Sequence, residues 1–221
     1  MSFPAACLFD LDGLLLDTEP CHGQAWSEAA ACFGAELAAS QLLQLRGRRR
    51  LDNARQVCGW IALQRGSAPS TAELLAVQQP IARRLLASAR AMDGAPELLR
   101  HCRQRTVAMA LVTSSSSASL AYKTAAHPWL KAIAVRIDGD DPELIAGKPA
   151  PDPFLLAARR LGVAPQTCWA FEDSPAGARS AAAAGCRVHV LLPPELQAAA
   201  VKDLYPPDAV LLASLRDVRL D

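Results

Sequence analysis

Short apolar runs recur along this chain, separated by stretches in which apolar residues return at helical spacing. Runs of this kind read as strands covered on both faces. They are Ala5–Phe9, Val107–Val112, Ala132–Ile137, Cys168–Phe171, Val188–Leu191 and a weaker Ala209–Leu212. Between them, helical spacing covers Ala95–Arg103, Ser116–Ala125, Pro153–Leu161 and Pro175–Ala184. The last helix is well punctuated, since Ser174 can cap it, Pro175 suits its first position and Gly185 its end. Strand and helix in alternation predict an α/β fold, a parallel sheet wrapped by helices.

One segment breaks the alternation. From about Thr18 to Ala91 there is no convincing strand, and the pattern reads as helices over Cys21–Phe33, Ser40–Leu45, Leu51–Trp60 and Thr71–Ala89. A helical block placed just after the first strand reads as a lid. The sheet domain is then discontinuous, residues 1–16 plus 92–221, with a helical cap over residues 17–91.

Bulk properties narrow the setting. The 221 residues suffice for one sizeable core and a smaller insert. A net charge of +1 gives no electrostatic case for nucleic acid or a membrane surface as partner. No apolar run reaches the roughly 18 residues that a membrane span needs. The start, Met1-Ser2-Phe3-Pro4, has no basic region and does not read as a signal peptide. The 7 cysteines are dispersed without a C-x-x-C pair. They read as buried hydrophobes in a reducing, cytoplasmic compartment rather than as a disulfide framework. The histidines lie far apart in sequence, which indicates no zinc site.

Open parallel sheets bind ligands beyond the carboxyl ends of their strands. The polar residues of this sequence gather there. Asp10 and Asp12 follow the first strand, Thr113 and Ser114 the second, and Glu172-Asp173 the Cys168–Phe171 strand, while Lys148 precedes a helix. An acid at a strand end is usually a turn or cap residue, but this set matches what phosphoryl transfer requires. A carboxylate can attack phosphorus and form an aspartyl-phosphate that water cleaves. Anion meeting anion calls for a divalent cation, and magnesium takes hard oxygen ligands such as those of Asp10 and Asp173. The leaving alkoxide needs a proton, and Asp12 lies where an extended chain returns to the same face. Like charges so close keep one of the pair protonated. Gly13 allows a sharp turn. Thr113, Ser114 and Lys148 supply a hydroxyl, a backbone N–H near a helix start and a positive charge for phosphoryl oxygens.

Phe9-Asp10-Leu11-Asp12-Gly13 with Leu16-Asp17-Thr18-Glu19-Pro20 resembles the first motif of the haloacid dehalogenase-like hydrolases. Val112-Thr113-Ser114, Gly147-Lys148-Pro149-Ala150-Pro151-Asp152 and Phe171-Glu172-Asp173-Ser174 are similar to its remaining motifs, in the same order. The resemblance implies a Rossmann-like core, a helical cap inserted after the first motif, and Mg2+. By motif position it implies Asp10 as nucleophile and Asp12 as acid/base. It also implies a backbone oxygen of Asp12 and the acids Asp10, Glu172 and Asp173 at the metal, with Thr113 and Lys148 at the phosphate. Dehalogenating members lack the second aspartate, because a halide leaving group needs no proton; Asp12 therefore speaks for phosphate esters.

Two groups within the family are similar in different segments. Lys148–Ser174, with His22 and Trp26, resembles β-phosphoglucomutase, but Thr71–Ala91 carries Arg83, Arg84 and Arg90 and none of the lysine those mutases share. Thr113–Ser119 with Lys123-Thr124, then Gly139-Asp140-Asp141-Pro142-Glu143, resembles pseudouridine-5′-phosphatases and plant-type glycerol phosphatases. The expectation is a phosphatase acting on a small phosphorylated metabolite, a sugar, polyol or nucleoside phosphate. A mutase, or a non-catalytic binding protein on the same fold, is the alternative. In the cap, Arg46, Arg48, Arg49 and Arg50 cluster around Gly47. This is either a solvated loop or a source of one arginine, Arg49 or Arg50, that reaches a substrate oxygen. His22 is either a helix-face residue or a cleft residue, Trp26 and Trp60 are assigned to the cap core, and Met92-Asp93-Gly94 to a hinge. The chain can close its own site, so a monomer is expected.

Overall fold

The computed structural model describes residues 3–46, 48–192 and 202–220. Six parallel strands form one sheet: β1 (Ala6–Phe9), β2 (Ala108–Val112), β3 (Val135–Ile137), β4 (Cys168–Glu172), β5 (Arg187–Leu191) and β6 (Val210–Leu212). Their spatial order is β3-β2-β1-β4-β5-β6. β1 is central, with Phe9 level with Leu111 of β2 and Phe171 of β4. Winding reverses between β1 and β4, which makes their carboxyl ends the place where a crevice opens.

The strands sort their side chains by period two. Cys7, Phe9, Met109, Leu111, Trp169 and Phe171 face one way, toward α5 (Ala95–Gln104). Ala6, Leu8, Ala110, Val112, Cys168 and Ala170 face the other way, toward α7 (Asp152–Leu161) and α8 (Pro175–Ala183). Both faces are covered, so the strands carry continuous apolar runs. The expected starts are slightly long: Ala132 ends a 3-10 turn, Pro128–Ala132, instead of opening β3. The predicted punctuation of α8 is present, with Ser174 accepting from the Gly177 N–H at 3.0 Å and Pro175 in the first turn.

Between β1 and α5 lie only helices among the described residues: α1 (Glu19–Cys32), α2 (Ala39–Gln44), α3 (Arg50–Arg65) and α4 (Thr71–Leu86). α3 runs past Trp60 to Gly66, whose left-handed backbone ends it. Ser70 caps α4 in a reciprocal box with Glu73, the Ser70 N–H donating to Glu73 at 2.8 Å and the Glu73 N–H donating to the Ser70 hydroxyl at 3.2 Å. This block has its own core of Trp26, Ala30, Val57, Trp60, Ile61 and Leu74. The chain leaves and re-enters the sheet region side by side: the Asp17 N–H donates to the Arg90 carbonyl at 2.8 Å and the Met92 N–H to the Leu15 carbonyl at 3.0 Å. Beyond that pair, Asp93 is bridged by Arg216 at 2.7 Å. Gly47 of the arginine cluster lies outside the described residues. Among those residues no helix is long and apolar enough to cross a membrane.

Candidate active site

Three neighbouring strand ends bring the site together. The Asp10 N–H donates to the Phe171 carbonyl at 3.0 Å, so the first residue past β1 is still held by β4. On the other side the Thr113 N–H donates to the Ile137 carbonyl of β3 at 2.9 Å. Lys148 comes from the loop before α7 and is buried. Its Nζ lies 2.5 Å from Asp10 Oδ1, 2.5 Å from Glu172 Oε1 and donates to the Val112 carbonyl at 2.9 Å. One ammonium thus ties β1, β2 and β4 together. Burial alone would lower its pKa, but Asp10 and Glu172 outweigh that and raise it, so it stays charged.

Asp10, Glu172 and Asp173 each offer a carboxylate oxygen, and these oxygens lie within 4.8 Å of one another. Both oxygens of Asp173 are buried with no hydrogen-bond donor among the described residues, and Glu172 Oε1 lacks a well-aligned one there despite its close ion pair. Burial first, then Glu19, Asp10 and Glu172, raise the Asp173 pKa well above the carboxylate range. Burial likewise lifts Glu172 and Glu19 to about 8. Orphaned hard oxygens among crowded like charges are what a divalent cation satisfies. The residues fit such an ion. Gly13 is part of the fit: its φ is +82°, and an added Cβ would lie 2.2 Å from Asp173 Oδ2. Gly177 does the same for Glu172, where a Cβ would lie 2.0 Å from Oε2.

Asp12 has a different environment. Its Oδ1 accepts from the Thr18 hydroxyl at 2.6 Å and from Lys123 Nζ at 2.7 Å, and its Oδ2 accepts from the Ser115 hydroxyl at 2.8 Å. His22 Nε2 stands 3.3 Å from Oδ1 and 3.1 Å from Lys123 Nζ. Burial pushes the Asp12 pKa up, but Lys123 and His22 more than offset this and hold it well below the usual range. Asp10 moves the other way, raised by burial against the pull of Lys148. The sequence says that one of the pair keeps a proton; in this geometry the rise falls on Asp10, because the cations and hydroxyls collect around Asp12.

A cavity of about 710 Å³ opens over these groups. Of the residues expected from sequence, Asp10, Asp12, His22, Arg50, Thr113 and Ser114 line it. Lys148, Glu172 and Asp173 lie beneath, almost without exposure. Arg50 crosses from α3 to donate to the Ser116 hydroxyl at 2.9 Å. Arg49 is absent from the lining and packs against Gly147 instead. Trp26 and Trp60 belong to the helical core, as expected, and Trp26 also touches the cavity. Several contributors carry no sequence assignment. Arg46 pairs with Glu19 at 3.2 Å, and Asn53 and Gln78 reach the lining from α3 and α4. Lys123, on α6 (Ser117–Thr124), is the least expected, because the sequence marks it only as part of a family resemblance and gives it no role. The available signal is its place four residues after Ser119, on the stripe that turns inward.

Residues 4–185 match the haloacid dehalogenase-like hydrolase family. The chain belongs to that family. A probable pseudouridine-5′-phosphatase of Drosophila melanogaster is 36% identical over 195 residues, 86% of this chain and 82% of that protein. A (DL)-glycerol-3-phosphatase 2 of Arabidopsis thaliana is 31% identical over 86% of this chain and 80% of its own length. Among solved structures, a β-phosphoglucomutase of Clostridium difficile superposes with a TM-score of 0.81 over 98% of this chain and 93% of its own. At 19% identity that likeness carries the fold of this hydrolase and no more.

Proposed function

We propose that this haloacid dehalogenase-like phosphatase hydrolyses small phosphomonoesters with magnesium, through an aspartyl-phosphate on Asp10. The observation that carries the reading is the separation of two neighbouring aspartates into different surroundings. Asp10 lies among the carboxylates and Lys148, and Asp12 lies in a cage of donors two residues away. Two acids so divided can take two roles.

In this reading Asp10 attacks phosphorus, and the bond to the substrate's alcohol oxygen breaks. A cation at the carboxylates would favour ionised Asp10, and the negative phosphate beside Asp12 would raise its pKa, so that Asp12 can give that oxygen its proton and then take one from the water that cleaves the acyl phosphate, restoring both residues. Lys148, held at 2.5 Å from Asp10, and Thr113, beside it at the end of β2, hold phosphoryl oxygens. Asp10, Glu172 and Asp173 would hold magnesium, which neutralises charge between nucleophile and phosphate. Residues 17–91 act as a cap, with Arg50 drawing α3 onto the core and closing the cavity against bulk water. The names of the relatives support a small phosphorylated metabolite as substrate. The mutase alternative has less behind it, since α4 lacks a lysine.

Phosphate release should be measured from p-nitrophenyl phosphate and from a panel of alkyl, sugar and nucleoside monophosphates, with magnesium or with chelator. Turnover should require magnesium, and Asp10→Asn should fold normally and fall by at least about 10³-fold. An Asp10→Asn enzyme retaining a tenth of the rate sinks the nucleophile assignment. β-Glucose 1-phosphate should yield free phosphate; glucose 6-phosphate as product would replace this reading with the mutase.

A further inference from the structure

Lys123 is wholly buried, with none of its side chain exposed, and it does not line the cavity. A buried ammonium needs anions and acceptors around it. Every polar contact found for it belongs to the surroundings of Asp12: Asp12 Oδ1 at 2.7 Å, the Ser115 hydroxyl at 2.9 Å and His22 Nε2 at 3.1 Å. Asp12 itself sits past the end of β1, in the turn Leu11–Leu16, where no strand neighbour fixes its side chain. Its direction is set by donors from three places: Thr18 at the start of the helical insert, Ser115 after β2, and Lys123 on α6. Lys123 is the charged member of the three, and it also meets His22 from α1, so the cage is completed across the boundary between insert and sheet domain.

We infer that Lys123 is a positioning residue for the acid/base step: it aims the Asp12 carboxylate at the leaving oxygen and makes that aim depend on the docked insert through His22. Lys123 reaches no substrate atom. Its effect passes through Asp12, so in the phosphoryl-transfer step it belongs to substrates whose leaving group needs a proton, whereas cleavage of the acyl phosphate is common to every substrate. Asp10, Lys148 and the carboxylate cluster make no hydrogen bond or ion pair with it, and its charge acts on Asp10 only weakly, behind burial, Lys148 and Asp12, so phosphate binding and attack depend on it little.

Lys123→Met preserves length and removes charge and donors. Its kinetics are compared with those of Asp12→Asn and of the double variant, on the panel's fastest alkyl phosphate and on p-nitrophenyl phosphate. On the alkyl substrate kcat/KM, which reports the leaving-group step, should fall about 100-fold, and on the aryl substrate it should fall less than about fivefold. The double variant should be no slower than Asp12→Asn, since both changes remove one function. Equal losses of kcat/KM on both substrates, or losses that multiply, would overturn the positioning role. The inference rests on Asp12 being the acid/base. If Asp12→Asn shows no leaving-group dependence, that reading fails and this one with it; if Asp12→Asn shows it and Lys123→Met does not, the positioning role alone fails. Should Lys123→Met not fold by circular dichroism, Ser115→Ala takes its place, removing one contact from Asp12 and one from Lys123. A folded Ser115→Ala with the same split supports the cage, and one with unchanged alkyl-phosphate kcat/KM overturns it.

Discussion

Asp10, Glu172 and Asp173 crowd negative charge into one small volume, with Glu19 alongside, and this links stability to both pH and a divalent cation. Glu172 and Glu19 hold protons up to about 8 in the fold, against an ordinary 4.5. A group whose pKa folding has raised is protonated in the native state where the unfolded chain has already lost the proton. Metal-free stability is therefore greatest below the unfolded value and declines as pH climbs toward the folded one. The cation acts in the opposite direction, because it binds the deprotonated cluster. Displacing one ligand proton from a group near 8, half ionised at pH 8, makes the apparent affinity fall about 160-fold between pH 8 and pH 5.5. Magnesium at about 100 times its dissociation constant at pH 8 contributes about 2.7 kcal/mol. For a chain of this length that is a Tm rise of about 5–11 °C. At pH 5.5 the same concentration is about 0.6 of the dissociation constant and contributes about 0.3 kcal/mol, a rise of about 1 °C. Differential scanning fluorimetry with chelator or magnesium at the two pH values reads this directly. Asp173→Asn should remove the pH 8 response. Equal shifts at both pH values, or a shift that survives Asp173→Asn, would refute the placement of the cation at this cluster.

Two substitutions test neighbouring features. Gly13→Ala strains a backbone at φ +82° and pushes into Asp173, so magnesium-dependent turnover should drop at least about tenfold while the metal-free Tm moves only about 2–4 °C for each kcal/mol of strain; a fully active, unshifted variant would contradict the close approach. Arg50→Ala removes the bridge to Ser116 at 2.9 Å, and the loss of a charged hydrogen bond across the cavity should raise KM about tenfold with a smaller effect on kcat; unchanged KM would leave Arg50 a surface arginine.

The sheet and the strand-end residues were legible because their signals are local. A parallel sheet buried on both faces needs continuous apolar runs, and Asp10, Thr113 and Asp173 directly follow them. What stayed hidden depends on packing between distant segments. Lys123 lies 111 residues from Asp12, and nothing in its own helix says that it turns toward a carboxylate. Arg49 and Arg50 are adjacent and chemically alike, yet Arg49, extended just before α3, lies against Gly147, while Arg50, the first residue of α3, lines the cavity. The identity of the paired donors around Asp12 likewise required three chain segments to be placed before any of them gained meaning.

The side-by-side crossing at Asp17–Arg90 and Leu15–Met92 has a consequence for how such a molecule can change. Seen from the sheet, the whole helical insert is one long loop whose two ends are already bonded together. Lengthening or replacing a loop costs little chain entropy once its ends are fixed, roughly 0.6 kcal/mol for a doubling in length. The strand order is then insulated from what hangs on that doorway, while Thr18, Glu19 and His22 at the start of the insert reach the acids behind it. A different bundle could be fitted there to select a different molecule, provided its first turn kept those groups in place.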